Sequence, residues 1–312
     1  MDNLVFCVIM EQVKPIKHKG GSKMHDYVII TDSSCDLPAS LADELGVVVS
    51  PLSFMLEGRE YKNYLDEREI TFADFYAKMR AGANVVTSAA NVDSFLELMT
   101  PFLEGGKDIL FLGFSSGLST TYQNGKIAAE ELLAKFPERR IHCVDSKCAS
   151  LGQGLFVYLV AKEAQKGKSF EEVCAFADRT APRVIHWFTV DDLFFLKRGG
   201  RISATTAVLG TMLSIKPVLH VDDDGHLINM SKARGRKASI KAMFEKVRDT
   251  SDNIAEQSVF ISHGDCIEDA EYLADMIRGL GVKHIVINHV GPVIGAHSGP
   301  GTLAVFFLGD VR

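Results

Sequence analysis

No apolar run in this 312-residue chain approaches the ~20 residues of a membrane-spanning helix, so a water-soluble protein with peripheral membrane contact or none is expected. Cysteine is sparse and unpatterned. The six, Cys7, Cys35, Cys143, Cys148, Cys174 and Cys266, form no C-x-x-C and no regular framework, which argues against a disulfide scaffold and for reduced thiols in a cytoplasmic protein. Ten histidines include no H-E-x-x-H and no Cys/His cluster, so no metal site is predicted. Neither G-x-x-x-x-G-K-[ST] nor a strand-linked G-x-G-x-x-G occurs; the chain is expected to have no ATP site of its own and no cofactor. Positive charge is also in short supply, with 34 Lys and Arg against 40 Asp and Glu. Only KARGRK at 232 to 237 is densely basic, and it reads as a solvated helix start, so nucleic acid is excluded as a partner.

Apolar residues are plentiful, at 46% of the chain, and the length suits about two domains. The organising stretch is ILFLGFSSGLSTTYQN at 109 to 124. An apolar strand runs into a small hydroxyl-rich segment and then into the helical pattern KIAAEELLAKF. A strand, a loop and a helix N-terminus in that order present unpaired backbone N–H groups and a positive dipole end, which suit a small anionic head group. Ser115, Ser116, Ser119, Thr120 and Thr121 add hydroxyls. The alternative is that Ser119 only caps the helix.

The first 23 residues lack a basic n-region and a small-residue cleavage site; they read either as a mis-started leader ahead of Met24 or as a disordered tail. From YVII at 27 to 30 onward, strand and helix alternate as far as about residue 180. That order predicts a parallel sheet covered on both faces, with ligands collecting at the carboxyl ends of its strands. Three hydroxyl loops, at Ser33/Ser34, Thr87/Ser88 and Ser115/Ser116, are expected on that edge. VVVSPLSF reads as one strand, MLEGREYKNYLDEREI as a charged excursion, and Pro101 as a kink or end in its helix. Residues 181 to 312 read as an α+β domain. It contains VIHWFTV, a helix broken at Gly199-Gly200, a hairpin turning at DDDG, and a tight Gly/Pro loop at 291 to 301 that holds His297. The expected fold is therefore α/β, with an N-terminal parallel-sheet three-layer domain at 24 to 180, a C-terminal domain with a mixed sheet, and the ligand between them.

One catalytic reading follows from the residues themselves. Gly113-Phe114-Ser115-Ser116-Gly117 satisfies G-x-S-x-G directly after a strand, so Ser115 is a candidate serine-hydrolase nucleophile with His297 or His263 as its base. Against it, LSTT intervenes before the helix begins, and no HGGG-type oxyanion loop is present.

TDSSCDLP, the Thr-Ser pair at 87 to 88, SSGLSTTYQ, VDSKCASLGQG, LKRGGRIS, IKPVLHV, SHGD and GPVIGAHSGPG fall in the order and approximate spacing of the DegV family of bacterial fatty-acid-binding proteins. The chain resembles that family from about Tyr27 onward. The resemblance implies one enclosed long-chain fatty acid, its carboxylate held by Thr87 and Ser116; from the hydroxyl loops, Ser33, Ser88 and Ser115 are further expected ligand-binding residues. It further implies a non-enzymatic, acyl-carrying subunit of a fatty acid kinase, whose separate ATP-binding subunit phosphorylates the carboxylate for phospholipid synthesis, assisted by Arg201 and His297. Two positions depart from the family pattern. Ala89-Ala90 stand where Gln-Pro is common after the Thr-Ser pair, and Thr120 replaces a common glycine.

Overall fold

The computed structural model describes residues 26–202 and 215–310; the leader expected over 1 to 23 lies outside them, as does Met24. Four short apolar strands form a parallel sheet in the order β2-β1-β6-β7, with β1 Tyr27–Asp32, β2 Val48–Ser50, β6 Asp108–Gly113 and β7 Ile141–Asp145. Period-2 alternation sends the side chains of β1 and β6 to two different cores. Val28, Ile30, Ile109 and Phe111 pack on helices α3 (Val92–Glu104) and α4 (Thr121–Lys135). Tyr27, Ile29, Leu110 and Leu112 face the other way, toward α1 (Ala39–Leu45), α5 (Leu151–Ala164) and α6 (Phe170–Thr180). This is the expected three-layer arrangement.

A six-stranded mixed sheet follows in the order β10-β9-β8-β13-β11-β12: β8 Val184–Thr189, β9 Ile215–Val221, β10 Leu227–Arg234, β11 Ser258–His263, β12 His284–His289 and β13 Leu303–Leu308. Its outer face carries Ile185, Trp187, Val305 and Phe307 onto α8 (Arg236–Thr250) and α9 (Ile267–Arg278). Its inner face carries Phe188, Leu219, Phe260, Ala304 and Phe306 into the same core as α5. Helix α5 is buried along most of its length because it is sandwiched between the two sheets.

Several expectations are corrected. The charged stretch after Phe54 is not an excursion: β4 (Arg59–Asn63) pairs with β3 (Leu52–Leu56), and β3 with β5 (Val85–Ser88), in a small antiparallel sheet. VVVSPLSF therefore holds two strands in two sheets, divided at Pro51, and Thr87-Ser88 end a strand rather than form a loop on the parallel edge. The loop expected at 291 to 301 contains helix α10 (Pro292–Ser298), begun by a proline at its first position, where the missing N–H costs nothing. Helix α3 runs through Pro101 to Glu104. Helix α6, opened by a Ser169/Glu172 capping box, was not expected at all. Two short helices complete the framework of the site, α2 (Phe72–Arg80) and α7 (Leu193–Arg198).

Candidate functional site

A cavity of about 410 Å³ lies between the carboxyl edge of the parallel sheet, the small antiparallel sheet and the inner face of the six-stranded sheet. Its buried wall is mainly apolar, with Phe114, Phe188, Val221, Val290, Ala304 and Phe306, and is interrupted by polar residues such as Ser150, Ser262 and Thr302. The other side gathers Thr87, Ser88, Ser116, Thr120, Arg201 and His297, and it opens to solvent, since Ser88, Ser116 and Thr120 are exposed. The lining of the cavity is thus amphipathic.

The polar end is built from four parts of the chain. Thr87 on β5 places Oγ1 2.7 Å from Nε2 of His297 on α10. Burial, reinforced by the guanidinium groups of Arg201 and Arg198, lowers the His297 pKa to about 4, so the ring is neutral at physiological pH. Gly199 packs against that ring so closely that a Cβ there would run into Nδ1. Arg201 is half-buried; its Nε donates to the Leu118 carbonyl at 3.2 Å, and another guanidinium nitrogen donates to the Gly199 carbonyl. These bonds tie the β6–α4 loop to the α7 turn.

Within the β6–α4 loop most of the amides expected to form the cradle are already bonded. Ser115 N donates to Cys148 O, Ser116 N to Asp145 Oδ1, Gly117 N to Ser115 Oγ, and Leu118 N and Ser119 N to Ser115 O. The helix begins only at Thr121, whose N–H donates to Ser119 Oγ at 3.2 Å. The loop is thus largely closed on itself, and the side chains of Ser116 and Thr120 line the cavity.

The two serines of this loop differ completely. Ser115 is buried and donates to the Gly225 carbonyl at 2.9 Å, clasping the loop to the hairpin between β9 and β10. Gly225 has φ +82, and any Cβ there would strike the Ser115 hydroxyl, so this clasp needs glycine. Ser116 lines the cavity instead, and its hydroxyl accepts from Lys147 Nζ at 2.8 Å. The hydrolase reading fails on this geometry: Ser115 is committed to a carbonyl, His297 faces Thr87, and His263 is buried against His289 and accepts from the Cys266 N–H. Ser33 also lies off the cavity, its hydroxyl accepting from Leu52 N at 3.0 Å, while its neighbour Ser34 lines the wall.

Residues 26–310 match the profile of a family described as an uncharacterised protein, DegV family. This chain belongs to the DegV family. A DegV domain-containing protein of Clostridium perfringens is 47% identical over 290 residues, which cover 93% of this chain and 99% of the relative. The structure of a DegV family protein from Thermus thermophilus, described for its fatty acid binding, has a TM-score of 0.80 at 33% identity, covering 92% of this chain and 100% of that one. A stearic-acid-binding protein from Eubacterium ventriosum has a TM-score of 0.79 at 25% identity, covering 90% and 98%.

Sequence reasoning missed several contributors to the cavity of this DegV protein. Lys147 stands within the VDSKCASLGQG motif, but nothing local shows that it reaches Ser116 across 31 positions. Beneath the wall, Asp36 is fully buried; its Oδ2 accepts from Ser150 Oγ at 2.5 Å, and Ser150 Oγ lies 3.0 Å from Ser262 Oγ. Burial raises the Asp36 pKa to about 8, which keeps it largely protonated at neutral pH. Asp32, also buried, accepts from Ser34 N and Phe114 N and so holds two cavity loops at a fixed separation.

Proposed function

We propose that this protein binds one long-chain fatty acid and presents its carboxylate to a separate ATP-dependent kinase subunit for conversion to an acyl phosphate. The observation that carries the reading is a single cavity, mainly apolar on its buried wall, whose solvent-open end gathers Thr87, Ser116, Arg201 and His297. Burying ~16 carbons at ~0.8 kcal/mol per methylene supplies up to ~12 kcal/mol before ordering costs, so a head-group clamp of a few side chains suffices. Thr87 and Ser116 serve as hydroxyl partners of the carboxylate. Arg201 and the neutral His297 border it from the α7 and α10 side.

Phosphoryl transfer spreads negative charge over oxygens between carboxylate and ATP, and an always-charged guanidinium is suited to that charge. Helix α7, just before Arg201, exposes Phe194, Lys197 and Arg198, an apolar and cationic surface beside the open end that suits an incoming protein. In a reconstitution with a cognate kinase subunit, ATP and palmitate, the expected result is ATP-dependent acyl phosphate. Arg201→Ala and His297→Ala are expected to remain folded and loaded and to lose at least ~10-fold in turnover, or ~1.4 kcal/mol. Loaded variants with wild-type turnover overturn their assignment.

A further inference from the structure

We propose that Lys147 is a positioning residue: held by Asp145, its ammonium fixes the Ser116 hydroxyl as a donor to the ligand and makes the site select a carboxylate over an uncharged head group. The inference rests on the fatty-acid reading above and deepens it.

The geometry is a closed knot at the end of β7. Asp145 Oδ1 accepts from Ser116 N at 3.1 Å and from Lys147 N at 3.2 Å. Its Oδ2 lies 3.1 Å from Lys147 Nζ, and the same ammonium donates to Ser116 Oγ at 2.8 Å. One carboxylate thus fixes the backbone of Ser116, the backbone of Lys147 and the cation that bridges them. Lys147 itself sits at φ +53, an uncommon conformation for a residue with a side chain, and this bonding holds it there.

Hydrogen-bond valence gives the direction. An ammonium has three donors and no lone pair, so in this contact Ser116 Oγ is the acceptor. The one proton of that hydroxyl is then turned elsewhere, and Ser116 lines the cavity. Ser115 shows the contrast: its proton goes to the Gly225 carbonyl, and it has nothing to offer a ligand. A charge-assisted bond into Ser116 Oγ also polarises its O–H, strengthening donation to an anion more than to a neutral oxygen. The facing pair repeats the logic. In the tautomer of neutral His297 that carries its proton on Nε2, Thr87 Oγ1 accepts from it and the Thr87 proton is free for the ligand; in the other tautomer Thr87 donates to the ring. A carboxylate accepts at both oxygens and uses both hydroxyls, whereas an alcohol has one oxygen and a proton of its own to place.

The test compares palmitate with hexadecanol, which share the tail and differ at the head group, by displacement of a fluorescent fatty acid from wild-type protein, Lys147→Met, Lys147→Gln and Lys147→Arg. The expected result is a loss of roughly tenfold in palmitate affinity for Lys147→Met with hexadecanol changed by less than about twofold, a partial loss for Lys147→Gln, and recovery in Lys147→Arg. Parallel losses for acid and alcohol assign Lys147 a purely structural role and overturn the proposal, as does unchanged palmitate affinity. Wild-type protein that binds neither ligand defeats the fatty-acid reading itself, an outcome distinct from failure of the Lys147 role alone.

Discussion

On the apolar side of the cavity Phe188, Ala304 and Phe306 come from two neighbouring strands of one sheet, whereas at the open end Thr87, Ser116, Arg201 and His297 come from four separate segments. This part of the wall is a by-product of a core that must form in any case: Phe188, Ala304 and Phe306 belong to the same buried cluster as α5. The open end has no such support and is assembled bond by bond, through Asp145 to Ser116, Thr87 to His297 and Arg201 to Leu118. On the proposed reading the difference separates affinity from head-group chemistry, and substitutions at each end should therefore fail in different ways.

The largest effect is expected from filling the apolar side. Ala304→Phe should exclude about four methylenes and cost ~3 kcal/mol of palmitate affinity, with decanoate affected far less. Overpacking adds a cost of about 1 to 3 kcal/mol in stability, so melting temperature is read alongside displacement. Equal losses for both acids would show that the tail lies elsewhere. Next, Thr87→Ala and Ser116→Ala should each weaken binding by ~1 to 3 kcal/mol for acids of any length, because each removes a hydrogen-bond partner of the charged carboxylate. Dependence of that loss on chain length would break the division between the ends.

Ser115→Ala should do the opposite of its neighbour, leaving affinity nearly intact and lowering stability by ~1 kcal/mol through loss of the clasp on Gly225. The smallest effect concerns acid. His297 titrates at about 4 in the fold and near 6.5 when unfolded, so its contribution is fully present above pH ~6.5 and is lost as pH falls through 4. Between pH 7 and 5.5 this amounts to ~1 kcal/mol, a few degrees of melting temperature. His263 has a similar depression, so the informative quantity is the flatter slope of His297→Gln relative to wild type. Parallel slopes would remove His297 from the account of acid sensitivity.

The same division governs what was legible in the sequence. VIHWFTV and LAVFFLG reveal the six-stranded sheet, and YVII with ILFLG the parallel one, because burial on a strand leaves a local signature of period 2 or a continuous apolar run. The open end leaves no comparable signature. Helix α10 was hidden by its glycines and proline, although tertiary packing stabilises it. Thr87 was read into a loop because its strand pairs with β3, whose other partner, β4, is charged and exposed along most of its length. The hydroxyl-rich loop follows β6 as its sequence indicates, but most of its amides bond within the protein, and the partner of Ser116 lies 31 residues away. Period and composition report burial; they do not report which side chains meet across a fold.

The central claim is that the cavity carries a fatty acid, and native mass spectrometry of the protein purified from bacteria addresses it most directly. The account predicts one retained long-chain fatty acid per chain, released on denaturation as the free acid and replaced by added palmitate. Protein that retains no lipid and takes up no palmitate, or that instead turns over esters with covalent labelling at Ser115, would contradict it.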